Sequence, residues 1–323
     1  MRVARTLNEA AEFGPTAVAI GNFDGVHMAH RELLSAVLRA SREHALAPSV
    51  LTFDPHPATI VAPHRTPRLL TTHRERCALL AREGIENVLI LPFTSVVSRW
   101  TPADFAERVL AKAFHAKAVI VGENFRFGHH QAGDTRVLAE LGRHFGFETH
   151  VVNAVSLRGR VVSSSEIRKA IEAGYAGLAG RMLGRPFSLS GEVVSGHGIG
   201  SKQTVPTLNL RTPAQVIPKV GVYVTRTSDA TNESLHWDSI TNVGFRPTFS
   251  ATHELTIETF LLSPFTPPAP ERIRVEFLHR LRDERKFESP EALKTQILRD
   301  VGRAQAFVRR IASLGHEREE LLQ

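Results

Sequence analysis

The chain has a single cysteine, Cys77, so no intrachain disulfide can form and a disulfide-stapled secreted scaffold is excluded. That lone thiol sits in the helical-looking segment TTHRERCALLARE, where a packed, inert role in a reducing compartment is expected. No uninterrupted apolar stretch approaches membrane-spanning length, so no bilayer-crossing helix is expected. The opening residues MRVARTLNEAAEF include basic residues but lack an apolar run and a small-residue cleavage site, which argues for a cytoplasmic protein. Basic residues never gather in runs of five or six, and no aromatic ladder of the RNA-binding kind accompanies them. The formal net charge of +7 therefore points to anionic small molecules, with neither nucleic acid nor membrane as partner. Internal repeats and heptad arrays are absent too.

What is present is ordinary for a globular protein: 42% apolar residues, 23% charged and a mean hydropathy of −0.12. At 323 residues the chain exceeds what one hydrophobic core organises, and two domains are expected. From residue 16 to about 150, short β-branched runs (TAVAIGN, PSVLTF, NVLILPF, KAVIVG, FETHVV) alternate with amphipathic stretches at 28–45, 72–83, 102–114 and 134–145. That alternation predicts βαβ units and a doubly wound α/β domain with a parallel sheet. A helix at 164–173 and a Gly-rich segment, AGYAGLAGRMLGRPF, follow, and the junction is placed there, giving domains 1–182 and 183–323. From 187 to about 282 only strand-like runs remain, broken by Gly, Pro, Asn and Ser, which predicts a small antiparallel β-barrel closed by one helix at roughly 290–313.

The most informative stretch is GNFDGVHMAH, residues 21–30, with His27 and His30 three apart after a strand and at a helix start. Free amides and the positive dipole end there attract phosphate, and Gly21 and Gly25 allow close approach to the backbone. The histidines can then bond ATP phosphates and stabilise charge developing on the α-phosphate. Metal binding by the pair is the competing reading, but the zincin pattern needs a Glu beside the first His and a four-residue step.

This segment resembles the HxGH signature of the nucleotidyltransferase superfamily, and GNFDGVH in particular is similar to the bacterial riboflavin kinase/FAD synthetase family. The resemblance implies a Rossmann-like nucleotidyltransferase domain, with Gly21, Phe23, Asp24 and Gly25 at the ATP and Ala29 where the family has Gly. TFDPHP at 52–57 is similar to the family's TFxPHP loop, which places Asp54, Pro55 and His56 on the FMN side; GENFRFGHHQAGD at 122–134 does the same for Asn124, Arg126 and Gly128. VSSSEIR at 162–168 resembles the superfamily's second phosphate-binding motif, with hydroxyls from Ser163, Ser164 and Ser165 and a bidentate cation in Arg168 for the β/γ-phosphates. Each segment alone is weak, since a Pro-rigidified turn, a solvated loop arginine or a serine-rich helix start is common.

In the second half, GRPFSLSGEVVSGHGIGSKQTVPTLNL at 184–210 resembles the opening of the family's riboflavin kinase module. The resemblance puts Gly196, Gly198, Gly200, Lys202 and Pro206 at ATP and riboflavin, and Thr207 and Asn209 on Mg²⁺. Departures cluster here: Ser201 stands for a family Arg, Thr204-Val205 for Gly-Phe, and Leu208 for Ala. In IETFLL at 257–262 the implied general base is Glu258, which on a strand alternates faces with Ile257 and Thr259, and Phe260 stands where the family often has His. LRDERKFES at 281–289 is similar to the family's LRxExKF and places Arg282 and Phe287 near the flavin. The implied protein phosphorylates riboflavin to FMN and adenylylates FMN to FAD, using ATP with Mg²⁺ and no prosthetic group. An adenylylation-only enzyme and a non-catalytic flavin or nucleotide sensor are the alternatives, and no oligomeric state is assigned.

Overall fold

In a computed structural model the described residues are 1–194, 207–213, 215–232, 234–247, 253–263 and 269–320. They form two compact units, Met1–Glu166 and Ile167–Gln323.

In the first unit, strands β1 (Arg2–Ala4), β2 (Thr16–Ile20), β3 (Ala47–Asp54), β4 (Asn87–Pro92), β5 (Ala116–Gly122) and β6 (Glu148–Val152) make one parallel sheet ordered β1-β4-β3-β2-β5-β6. Alternate residues of the central strands β2 to β5 serve different cores, as period-2 side chains under two covered faces must. Val18 and Ile20 join Leu51, Leu89, Val119 and Val121 on one face. Ala17 and Ala19 join Val50, Val88, Ala118 and Ile120 on the other, where Leu34 and Val37 of the Met28–His44 helix pack. Strand β2 is buried along its whole length, which explains its continuous apolar run. The order reverses beside β2: the chain moves out through β3 and β4, and β5 then returns to the other side of β2. Parallel strands all end on one edge, so the loops after β2, β3 and β5 leave together at this switch point, where α/β sheets bind ligands.

Two local features differ from the sequence reading. Strand β1 was not foreseen, because three residues are too few to show a period. The stretch expected as one helix over 102–114 starts as a short α-helix, Pro102–Phe105, and continues as a π-helix, Ala106–Ala113, in which Phe114 N–H reaches back to Val109 O at 2.9 Å. A two-stranded ribbon, β7 (Ser156–Leu157) and β8 (Arg160–Val161), precedes the helix Ser164–Glu172.

The second unit is a closed antiparallel barrel of β9 (Phe187–Val194), β10 (Thr207–Arg211), β11 (Gly221–Asp229), β12 (His236–Pro247), β13 (His253–Leu261) and β14 (Arg272–Arg282), ordered β10-β13-β12-β11-β14-β9. The Gly-rich segment read as a junction instead holds a helix, Ala176–Leu183; Gly177 and Gly180 present no side chain where Leu278 O and Arg185 O lie 3.8 and 3.5 Å from a would-be Cβ. Inside the barrel, hydroxyls bond one another: Thr225 to Ser239 and Thr241 at 2.8 Å each, Thr227 to Ser239 at 2.8 Å, Thr241 to Thr259 at 3.0 Å. A buried polar ladder is tolerable only when satisfied in this way. The opposite parity, Val222, Val224 and Ile240, meets Val301, Ala304, Phe307 and Val308 of the closing helix Pro290–Glu320 on the outside.

Within the barrel Phe277 is buried between Tyr223, edge-on at 5.3 Å, and Phe187 at 6.1 Å. Phe277→Ala therefore costs the barrel about 3–5 kcal/mol through transfer and cavity terms together. The measurement is urea unfolding of wild type and variant followed by circular dichroism, with a transition midpoint expected to fall in the variant.

Candidate active sites

The loop Gly21–His27 leaves β2 and delivers His27 as the N-cap of the Met28–His44 helix, with Nδ1 accepting the backbone N–H of His30 at 3.3 Å. With Nδ1 accepting, a neutral His27 carries its proton on Nε2 and is a donor there. The His30 ring stacks on His27 at 3.6 Å between centroids, 14° from parallel, and leans on Phe23 at 4.9 Å. Burial first, then the neighbouring His27 and the positive charge of Arg76, holds His30 well below the usual imidazole range. Its shielded Nδ1 has no hydrogen-bond partner among the described residues.

Backbone strain concentrates in the same loop: Phe23 (φ 48°) and Val26 (φ 38°) are both left-handed without being glycine. Asp24 explains how the loop tolerates this. Its buried carboxylate accepts from Leu70 N at 3.0 Å and from Thr71 N and Oγ1 at 3.1 and 3.2 Å, and lies 3.7 Å from Arg76 Nη2. Gly25 N donates to Thr71 Oγ1 at 3.0 Å, and Ser164 Oγ donates to Asp24 O at 2.9 Å. Asp24 thus ties the loop to the chain around 70, and Ser164 ties it to the Ser164–Glu172 helix. Ser163 Oγ accepts Glu166 N–H at 3.3 Å at that helix's start, and Ser165 is exposed. Arg168 falls on the same helix, past the division between the compact units.

After β3, His56 caps the short helix Pro57–Val61, its Nδ1 accepting Ala58 N–H at 3.2 Å while Nε2 lies 3.0 Å from the side-chain amide of Asn22. Asp54, ahead of a cis bond to Pro55, pairs with His73 at 3.0 Å. After β5, Asn124 and Arg126 are exposed, and Arg126 meets Asp134 at 3.4 Å. Gly128 (φ 73°) has Pro102 2.8 Å from where a Cβ would stand, so no other residue fits. The structure therefore brings together the ends of β2, β3 and β5 with the residues predicted on them. Asn22, Thr52, Thr71, Arg76 and His73 were missed; of these Asn22 and Thr52 lay inside matched segments.

In the barrel, register decides which side chains meet. Glu258 on β13 pairs with Asn209 of β10 and with Asn242 of β12, and directly opposed residues share a face. Asn209, Glu258 and Asn242 form a half-buried row on the outside, while Ile257 and Thr259 point into the core. Thr207 joins Asn209 on that face; Leu208, where the family has Ala, is 4% exposed and turned inward, so this departure does not touch the row. Asn242 Nδ2 donates to Glu284 Oε1 at 3.4 Å, and the Glu284 carboxylate lies so close over Gly244 that it leaves no room for a Cβ there. Sequence reasoning passed over both Asn242 and Glu284, although Glu284 lies in the matched LRDERKFES segment. Arg282 is held by Asp300 of the closing helix at 2.9 Å and faces the Phe287 ring at 5.8 Å, with Arg285 facing the same ring at 4.9 Å. Gly196, Gly198, Gly200, Ser201, Lys202, Thr204, Val205 and Pro206 lie outside the described residues.

Among the described residues no group of three His, Cys, Asp or Glu could hold a metal ion, and no helix is long and apolar enough to cross a membrane. The hard oxygens of Thr207 and Asn209 suit a divalent cation whose remaining ligands are phosphates and water.

A histidine pair at a helix N-terminus on the switch point of a parallel sheet, followed by a barrel with a carboxylate between two carboxamides, defines a two-part enzyme of phosphate chemistry. The FAD synthetase family matches residues 9–166, and the riboflavin kinase family matches residues 183–308. The bifunctional riboflavin kinase/FMN adenylyltransferases of Pseudomonas fluorescens and Escherichia coli K12 are each 33% identical over 307 residues, 95% of this chain and 97% of theirs. The chain belongs to this bifunctional riboflavin kinase/FMN adenylyltransferase family. A solved structure from Streptococcus pneumoniae, described as a macrolide-efflux protein, has the same fold with a TM-score of 0.83 and 28% identity, covering 94% of this chain and 98% of its own.

Proposed function

We propose that residues 183–323 phosphorylate riboflavin to FMN and that residues 1–182 adenylylate FMN to FAD, in the cytoplasm. The observation that carries the adenylylation assignment is the stacked His27–His30 pair at the start of the Met28–His44 helix. An FMN phosphate oxygen attacks the α-phosphorus of ATP in line, the bond to the β-phosphate bridging oxygen breaks, and pyrophosphate leaves. His27 and His30, with the helix-start amides, donate to the α-phosphate oxygens as charge grows on them. Gly21, Phe23 and Gly25 shape the ATP approach, with Asp24 holding the loop from within; Ser163, Ser164, Ser165 and Arg168 steady the departing pyrophosphate. Asp54, Pro55, His56, Asn124, Arg126 and Gly128 form the FMN side.

In the kinase half, Glu258 accepts the proton of the ribityl hydroxyl as that oxygen attacks the γ-phosphorus and ADP leaves. Thr207 and Asn209 would hold Mg²⁺ that arrives with ATP, the family resemblance assigns Gly196, Gly198, Gly200, Lys202 and Pro206 to ATP and riboflavin, and Arg282 and Phe287 border the flavin. Bound Mg²⁺ neutralises phosphate charge. Positioning and electrostatics suffice for both steps, and no covalent intermediate with the protein is needed.

The test is a chromatographic time course with riboflavin, ATP and Mg²⁺, repeated with FMN as the starting flavin. The expected outcome is FMN then FAD from riboflavin, and FAD directly from FMN. FAD from FMN alone would remove the kinase assignment, and no product from either would leave a binding protein.

A further inference from the structure

We propose that Arg76 is a positioning residue for adenylyl transfer, fixing the backbone of the Gly21–His27 loop and placing a permanent positive charge beside the histidine pair. The proposal rests on the reading that this loop carries adenylyl transfer.

Arg76 comes from the His73–Arg82 helix and is 3% exposed, in contact with an equally buried carboxylate, Asp24 at 1%. A buried ion pair is not a cheap way to hold a core together, since apolar residues of the same volume do as well or better. What this pair does have is a set of specific targets. Arg76 Nη1 donates to Thr52 Oγ1 at 3.3 Å, and Thr52 Oγ1 donates onward to Asn22 O at 3.0 Å. Arg76 Nη2 faces Asp24, whose partner Thr71 receives the N–H of Gly25. Asn22, Asp24 and Gly25 are thus tethered through the two arms of one guanidinium, around Phe23 and Val26, the loop's left-handed residues. Strained conformations persist only where the surroundings over-determine them. Only a planar fork serves both partners from one fixed position; a lysine ammonium reaches one.

The charge has its own consequence. The groups acting on His30 are its own burial, His27 and Arg76, and both charges oppose its protonation. With Arg76 in place the His30 imidazole stays neutral, so it does not repel its stacked neighbour His27 when phosphate arrives.

The experiment uses the full chain as wild type, Arg76→Lys, Arg76→Gln and the double variant Asp24→Asn with Arg76→Gln, which buries no lone charge. FAD formation from FMN, FMN formation from riboflavin and the NMR titration of His30 are measured on each. Arg76→Gln lowers kcat for FAD formation by about 100-fold, the cost of a displaced reacting group, with KM for ATP little changed. Arg76→Lys falls between, and the double variant folds and makes FMN normally but stays slow in FAD formation. In Arg76→Gln the His30 resonance titrates at higher pH than in wild type. An unchanged kcat and an unchanged His30 titration in the folded double variant would overturn the proposal, as would losses of both activities in parallel with melting. Were the wild type to make no FAD, the adenylylation reading would fall, and the His30 titration would still decide the role of Arg76.

Discussion

His27→Ala and His30→Ala each slow the turnover of FMN to FAD by about 10²–10³-fold, the usual cost of removing one preorganised donor from a charge-developing centre. FMN formation from riboflavin by the same preparations is unaffected. The two positions differ in what else they do. His27 is also a helix cap, so alanine there removes about 0.5–2 kcal/mol of stability in addition to the imidazole. His27→Asn restores a capping oxygen without restoring the ring; it melts like the wild type and stays slow, which separates cap from chemistry. His30 is stacked and shielded, and its protonation is opposed by burial before any charge. It is neutral throughout the physiological range, and the acid limb of the FAD-forming reaction lies below the ordinary imidazole value of about 6.5. Linkage gives the sign for stability: below that value the unfolded chain takes up a proton that the folded site refuses, so stability falls as the pH drops. A pH–rate profile with its acid limb at or above about 6.5 would contradict a neutral His30.

Much of this was legible from patterns that depend on neighbours along the chain. Strands β2 to β5 announced themselves because burial on both faces leaves mostly apolar runs, and the parity of Ile257, Glu258 and Thr259 followed from the pleat. The histidine pair needed only a helix repeat. What stayed hidden depends on partners far apart in sequence. Asp24 read as a ligand residue of a phosphate loop, whereas its carboxylate binds the backbone of Leu70 and Thr71. Arg76 sat in an ordinary amphipathic helix, and only the meeting of that helix with Thr52 and Asp24 gives it meaning. Asn242, and Glu284 inside a matched segment, acquire a place only through barrel register, which a strand's own residues do not encode. The Gly-rich segment looked like a linker because glycine disfavours helix; packing against the barrel outweighed that propensity.

Glu258→Gln lowers FMN formation from riboflavin by about 10²–10⁴-fold, the range expected when a general base is removed, and leaves FAD formation from FMN intact. The substitution preserves size and hydrogen-bonding reach, and the register makes it structurally mild. Glu258 stands on the outer face of β13 between Asn209 and Asn242, with its neighbours Ile257 and Thr259 carrying the core contacts. Barrel stability is therefore expected to stay within about 0.5 kcal/mol of wild type, as for other surface changes. Thr259→Val is the complementary control: it breaks the inner hydroxyl bond to Thr241 and leaves that buried oxygen one partner short, so it lowers stability while sparing the outer row. If the two variants exchanged these phenotypes, with Thr259→Val abolishing the kinase and Glu258→Gln merely loosening the barrel, the phosphorylation site would have to lie inside the barrel. If Glu258→Gln kept full kinase turnover, proton removal from the ribityl hydroxyl would fall to another group. Glu284 is then the next carboxylate to replace, since Asn242 links it to the same row.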